Sequence, residues 1–326
     1  MLGIVVEEID GAFNAVLREI PIPVCKPGEL LVKVHAASVN RSDLLQKKGL
    51  YPSSSSPILG LDLSGVIVDA DSCSKKYRPG DRVMALVDGG AQAEFAAVHE
   101  DLAMPIPNGL SFEEAAAVPE VFLTAFQALK WLGQINKGHS VLVHSGASGV
   151  GTAAIQLAKS LEATVFATAG TEEKVHACLT LGAKNALNYR SSSEFSSSLL
   201  EWTSGQGVDI ILDTVGAAFW KENIQALRQE GKLISVAYLG GARIPDFDLS
   251  LLQKKWGNLI GTRLRDRSLA YKIALTKEFA AFALPLFINH SLRPIVHSIL
   301  PLESVEYAHN LLQTNQTIGK VVLKVY

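Results

Sequence analysis

The chain has 326 residues, 48% hydrophobic and 19% charged, with a formal net charge of −2; that length allows two domains with separate cores. The slightly acidic balance, with no Lys/Arg run longer than two, argues against a nucleic-acid or membrane-surface partner, both of which call for a basic face. Cys25, Cys73 and Cys178 are odd in number and far apart, which excludes a disulfide framework and points to a reducing compartment.

The first residues, Met1-Leu-Gly-Ile-Val-Val-Glu-Glu8, carry no basic stretch, and no apolar run approaches the ~20 residues of a membrane span, so a cytoplasmic location is expected. Through the first hundred residues, β-like runs at 30–35, 63–68, 82–86 and 93–98 alternate with Pro27-Gly28, Pro79-Gly80 and Gly89-Gly90 turns, predicting a small, mostly β domain. A serine-rich loop is read at 53–56 and another at 191–198. From about Glu113 helical and apolar segments alternate, with strands near Val141 and at 164–168, 186–189, 208–213, 232–237 and 259–262. Strands at this spacing, separated by helical patterns, predict an α/β domain built on a doubly wound parallel sheet. Residues 294–326 return to strand, helix and strand and should complete the first domain. The boundaries read in this way are 1–118 with 289–326 for the β domain and 119–288 for the α/β domain.

The most informative segment is Ser140-Val-Leu-Val-His-Ser-Gly-Ala-Ser-Gly-Val-Gly151. Val141, Leu142 and Val143 form the apolar run of a strand covered on both faces, while Ala154, Leu157, Ala158 and Leu161 recur at helical spacing. Gly146 suits a tight turn, and Gly149 and Gly151 let helix and strand approach. The N–H groups at the helix start, in the Ser148-Gly149-Val150-Gly151 stretch, suit a pyrophosphate. Ser148 replaces the middle glycine of GxGxxG; alone the motif could be a plain turn, and the strand and helix around it favour a dinucleotide site. The next strand ends in Gly170 with Thr171 and Lys174 following, where an NAD site normally carries an acid for the ribose. A 2′-phosphate would meet a hydroxyl and an ammonium, so NADPH is the expected cofactor. Glu172 and Glu173 could reach the ribose or simply favour the helix dipole.

Several spaced motifs resemble the medium-chain dehydrogenase/reductase superfamily over essentially the whole chain, and its quinone oxidoreductase branch in particular: Ala37-Ser-Val-Asn-Arg-Ser-Asp43, Pro57-Ile-Leu-Gly-Leu-Asp62 with Gly65, Arg78-Pro-Gly-Asp-Arg-Val83, Leu123-Thr-Ala-Phe-Gln127 and the glycine turn. Gly146 to Gln156, with Pro119-Glu120, is most similar to the tumour-suppressor-inducible quinone oxidoreductases of vertebrates. The resemblance implies a Rossmann sheet beside a GroES-like domain, NADPH, no zinc, and a homodimer paired through the nucleotide domain, here near Val236 and the 238–243 loop. Zinc-dependent members carry Cys where this chain has Asn40, and His where it has Leu61 of Gly60-Leu61-Asp62. No closely spaced cysteines supply a structural zinc site, and Asp62 reads as a satisfied polar residue rather than a ligand. By the same resemblance Tyr189 joins the 2′-phosphate pocket, its alternative being a packing tyrosine. Asn40, Thr124, Val215-Gly216, Tyr238-Leu239 and Arg263-Leu264-Arg265 surround the nicotinamide half. Asn315 stands where some relatives place an arginine on the phosphate.

The expected reaction is hydride transfer to a quinone or enone, driven by positioning and water exclusion. Asn40 and Tyr51 are the catalytic candidates, Tyr51 either donating a hydrogen bond to the acceptor or only covering the cofactor. His144, beside the glycine turn, reads as a strand residue rather than a base. An NADPH-dependent alkenal or enoyl-thioester reductase is the alternative, and a cofactor-binding, non-catalytic protein the third reading.

Overall fold

Alternation of buried and half-exposed residues along Glu29–Val39, with Leu30, Val32 and Val34 fully buried, makes this strand the centre of the first sheet. It pairs antiparallel with Asp62–Ala70, with Lys320–Lys324 and with Phe95–His99. The computed structural model describes residues 1–50, 56–70, 74, 76–191, 194–245 and 247–326. By their contacts these fall into two units, Met1–Leu123 with Arg267–Tyr326, and Thr124–Asp266.

The first unit holds a sheet in the order Val296–Pro301, Lys320–Lys324, Glu29–Val39, Asp62–Ala70, Arg82–Leu86, Ala103–Pro105. A hairpin, Leu2–Ile9 with Ala12–Glu19, forms a separate two-stranded sheet whose Ile4 and Ala15 pack with Val39, Val321 and Leu323. Residues 294–326 lie in this unit. The helix Leu269–Ile288 belongs here too, earlier than the return point read at residue 289, because Phe279 and Phe287 pack their rings against Phe122.

The second unit is a six-stranded parallel sheet in the order Asn185–Asn188, Thr164–Ala169, Ser140–Val143, Val208–Asp213, Leu227–Ser235, Asn258–Gly261. Its inner strands are buried apolar runs, as a sheet covered on both faces requires. The strand leading to Val236 is paired on both sides and is not a sheet edge; the edges are Asn185–Asn188 and Asn258–Gly261. The 191–198 loop is also corrected. Phe195–Trp202 is a helix, because burying Phe195 and Leu199 outweighs the weak helix preference of three serines. Residues 53–55 and Tyr51 lie outside the described residues.

One buried charge site bears on stability. His309, on the helix Val305–Gln313, is 2% exposed, and among the described residues neither ring nitrogen has a hydrogen-bond partner. Burial, aided by Lys47 and opposed by Glu306, holds its pKa down at about 4 from an ordinary value of 6.5. Below pH 6.5 the unfolded chain binds a proton that the folded chain refuses, so this contribution is complete above pH 6.5 and lost as pH falls toward 4. Urea titrations from pH 7 to pH 4 should therefore show wild type losing about 3 kcal/mol more than His309→Leu. Parallel curves for the two proteins would contradict this.

Candidate functional site

The helix Gly149–Ser160 begins one residue after Ser148, whose hydroxyl accepts the Gly151 N–H at 3.0 Å. The residue that breaks the glycine pattern is thus the helix N-cap. The N–H groups of Gly149 and Val150, the first two of the helix, stay outside the intrahelical ladder and suit an anion. A Cβ on Gly151 would lie 2.3 Å from the Ser145 carbonyl oxygen, and one on Gly146 would lie 2.7 Å from Cys178 Sγ. Both glycines are required by close approach.

His144 lies beneath this turn. Its Nε2 donates to Asn223 Oδ1 at 2.6 Å, so its Nδ1 accepts from the Thr168 hydroxyl at 2.8 Å. Complete burial lowers its pKa and keeps it neutral. Gly146 N–H donates to the carbonyl of the same Thr168 at 2.9 Å. His144 lies in the turn just past the strand Ser140–Val143 rather than in the strand; it braces that turn, both ring nitrogens engaged.

Apart from Thr124, which lies on the helix Pro119–Phe126, the remaining cofactor candidates of this unit follow the C-terminal ends of parallel strands, where open α/β sheets bind ligands. Gly170 follows Thr164–Ala169, and Tyr189 follows Asn185–Asn188, its hydroxyl 2.9 Å from where a Gly170 Cβ would stand. Thr171 caps the helix Glu172–Leu181, accepting the Lys174 N–H at 3.3 Å. Glu172 accepts from Asn188 Nδ2 at 2.9 Å, which ties that carboxylate to a neighbouring side chain. Beyond Val208–Asp213, the buried Asp213 carboxylate accepts the N–H groups of Val215 and Gly216 at 2.7 and 3.1 Å, and Thr214 donates to the Ser145 hydroxyl at 2.8 Å. Leu239 and Gly240 donate to the carbonyls of Thr214 and Val215, which brings the Val215 and Tyr238 loops together. Leu264 is buried after the sixth strand. Thr124 Oγ1 is buried with no hydrogen-bond partner among the described residues. This orphaned hydroxyl, the glycine turn and the open first-turn N–H groups fit a bound dinucleotide.

In the first unit three strand ends converge. Asn40 follows Glu29–Val39, Asp62 opens Asp62–Ala70 and Lys320 opens Lys320–Lys324. Asp62, 0% exposed, accepts from Ser38 Oγ at 2.5 Å, Asn40 Nδ2 at 2.8 Å and Glu120 N–H at 3.3 Å. Lys320 Nζ, 4% exposed, donates to Val39 O at 3.1 Å and to Asn40 Oδ1, and stands 3.7 Å from Asp62. Both ends of the Asn40 amide are therefore engaged inside the protein. Asp62 is a satisfied buried carboxylate, as read from the sequence, and its cation is a lysine ammonium. Asn315 accepts from Arg41 in this same unit. Sequence reading missed Asp213, Thr214 and Lys320; a lysine opening an apolar terminal strand is the one signal it offered.

Among the described residues no group of three His, Cys, Asp or Glu side chains could hold a metal ion, and no helix is long and apolar enough to cross a membrane.

A GroES-like β unit and a six-stranded parallel dinucleotide sheet define the class, and comparison with known proteins agrees. The alcohol dehydrogenase GroES-like domain model matches residues 26–108, and the zinc-binding dehydrogenase model residues 149–280. Human quinone oxidoreductase is 30% identical over 315 residues, 94% of this chain and 92% of that protein. The highly reducing polyketide synthase easB of Emericella nidulans is 29% identical over 94% of this chain, which spans 12% of that protein's length. Among solved structures, Escherichia coli quinone oxidoreductase complexed with NADPH has a TM-score of 0.87 at 29% identity, covering 100% of both chains. JamJ enoyl reductase has a TM-score of 0.84 at 27% identity, covering 99% of this chain and 98% of that one. The chain belongs to the medium-chain dehydrogenase/reductase superfamily, in its quinone oxidoreductase branch.

The Asp62–Lys320 pair yields a direct test. Removing one partner of a buried pair leaves the other charge uncompensated, at a cost of about 3–5 kcal/mol, whereas neutralising both is far milder. Lys320→Met should lose about that much in urea denaturation, and Lys320→Met with Asp62→Asn should recover most of it. A double variant no more stable than Lys320→Met would contradict the assignment.

Proposed function

We propose that this protein is an NADPH-dependent reductase of quinones that works without zinc, in the cytoplasm and as a homodimer. The observation that carries the reading is the strand-end cluster: a glycine turn with open N–H groups, and the Gly170, Thr171, Lys174 and Tyr189 positions at the next two strand ends, where Glu172 is hydrogen-bonded to Asn188. The pyrophosphate would lie on Gly149 and Val150, with Gly146, Ser148 and Gly151 shaping the turn. Thr124, Val215, Tyr238, Leu239 and Leu264 would hold the nicotinamide half.

When bound, NADPH supplies a hydride from C4 of its nicotinamide. The quinone takes up that hydride and one proton, giving hydroquinone and NADP⁺. Such an acceptor is already electron-poor, so the protein has to place it and exclude water rather than polarise it with a metal. Support for zinc independence comes from the residues: Asn40 and Leu61 occupy the positions of the two donors, and Lys320 supplies the positive charge beside Asp62. Asn40, the residue before the helix Arg41–Lys47, would act as a positioning residue for the segment that leads to Tyr51. Tyr51 remains the proposed hydrogen-bond donor to the acceptor, and Asn315 a proposed contact of the cofactor phosphate.

A second reading, reduction of alkenals or enoyl-thioesters, is favoured by the likeness to JamJ enoyl reductase. NADPH consumption against ortho-quinones, para-quinones, 2-alkenals and enoyl-thioesters, with and without a chelator, separates the two. Fastest turnover of a quinone, unchanged by chelation, is the expected result. Turnover of alkenals or thioesters alone would move the assignment to the second reading, and binding of NADPH with no turnover would make this a binding protein.

The homodimer is supported by the exposed edge strand Asn258–Gly261 and its apolar surroundings, Leu259 at 45% and Trp256 at 65% exposure. An unpaired edge flanked by large apolar side chains invites pairing with a second copy. Light scattering at micromolar concentration should report the mass of two chains; the mass of one would contradict it.

A further inference from the structure

Gln92, on the turn that follows the strand Arg82–Leu86, is a wholly buried amide in the first unit. Its main chain is fixed on two sides: its N–H donates to Leu59 O at 2.9 Å, and its carbonyl accepts the Ile4 N–H at 2.9 Å. Its side chain lies across Gly60, where a Cβ would meet Gln92 Cγ at 2.7 Å. Gly60 also has a φ of +95°, so both conformation and the glutamine above it require glycine there. The start of the same turn is held by Lys272, its side chain 3% exposed, which pairs with Asp88.

The end of the Gln92 side chain reaches the group around Asn40. Its Nε2 donates to Asp43 Oδ2 at 3.1 Å and to Ser38 O at 3.4 Å. The same Asp43 oxygen accepts the Asn40 N–H at 2.8 Å, and the Asp43 N–H donates back to Asn40 O at 3.1 Å, which closes the first turn of the helix Arg41–Lys47. Gln92 Oε1, by contrast, is buried with no hydrogen-bond partner among the described residues. A buried amide with an unanswered carbonyl costs more than an apolar side chain of the same shape. Packing therefore does not account for a glutamine at this place; the bonds its N–H groups make to Asp43 and Ser38 do.

We propose that Gln92 is a positioning residue for the reduction: through Asp43 it fixes the start of the helix Arg41–Lys47, and with it Asn40. The inference rests on the reductase reading given under the proposed function. It adds a residue that no sequence motif marks, because Gln92 and Asp43 are 49 positions apart. Misplacing a group beside the reacting atoms by about 1 Å can cost about 100-fold in rate, so a buried hydrogen bond that holds such a group bears on turnover more than on cofactor binding.

Single-turnover oxidation of NADPH by the acceptor that wild type reduces fastest, scaled to the folded fraction from circular dichroism, tests it. Gln92→Met keeps the length and bulk of the side chain and removes the donor. It should slow the single turnover by about 10- to 100-fold. NADPH affinity, followed by fluorescence, should change by less than about twofold, because the phosphate-binding turn belongs to the other unit. In an Asp43→Ala background the same substitution should cost less than about twofold, since Gln92 acts through Asp43. An unchanged rate in Gln92→Met, a loss of NADPH affinity in step with the rate, or an equal loss with and without Asp43 would overturn the role of Gln92 and leave the reductase reading in place. A wild type that oxidises NADPH with no quinone, alkenal or enoyl-thioester would instead overturn that reading, and the inference with it.

Discussion

The dinucleotide turn of the second unit depends on how closely the helix Gly149–Ser160 approaches the turn that precedes it. At Gly151 there is no room for a Cβ beside the Ser145 carbonyl oxygen, and at Gly146 none beside Cys178 and Ala167. This contact fixes the helix start over the end of the central strand, and Ser148 then caps Gly151 so that only the first two N–H groups point outward. His144 and Thr168 hold the turn from below, the buried imidazole bonded at both ring nitrogens and the Thr168 carbonyl accepting the Gly146 N–H. The parallel sheet does the rest, because each strand delivers its following loop to the same edge.

The first unit meets a different constraint. Its buried Asp62 needs a positive partner, and Lys320 supplies one from the far end of the chain. Together with Asn40 the pair joins three strand ends into one hydrogen-bonded group. A metal at this place would serve to polarise an alcohol or carbonyl. An ammonium already engaged by a carboxylate, an amide oxygen and a main-chain carbonyl holds the loop in position instead. Such a scaffold fits the proposed chemistry, in which an electrophilic acceptor needs orientation more than activation.

The parts of the fold set by local pattern were readable in the sequence. Apolar runs at spacing suited to βαβ units located all six parallel strands within a few residues, and alternation located the strand at the centre of the β unit. The hairpin Leu2–Ile9 with Ala12–Glu19 escaped, although Asp10-Gly11 is a hairpin turn signal, because few of its residues are buried and its alternation is faint. Spatial order was not readable: adjacent strands in the chain gave no sign that Leu227–Ser235 lies inside the sheet and Asn258–Gly261 at its edge. The site divides in the same way. The glycine turn and Gly170-Thr171 are contiguous and carry their chemistry on their face. The Asn40–Lys320 contact spans 280 positions, and its partners meet only through strand pairing.

The proposed hydride transfer is tested most directly by single-turnover oxidation of NADPH carrying deuterium on one or the other face of nicotinamide C4, mixed with the protein and an ortho-quinone. A site that fixes the nicotinamide predicts a primary isotope effect from one labelled face and none from the other. Equal effects from both faces, or no oxidation of NADPH, would contradict the account.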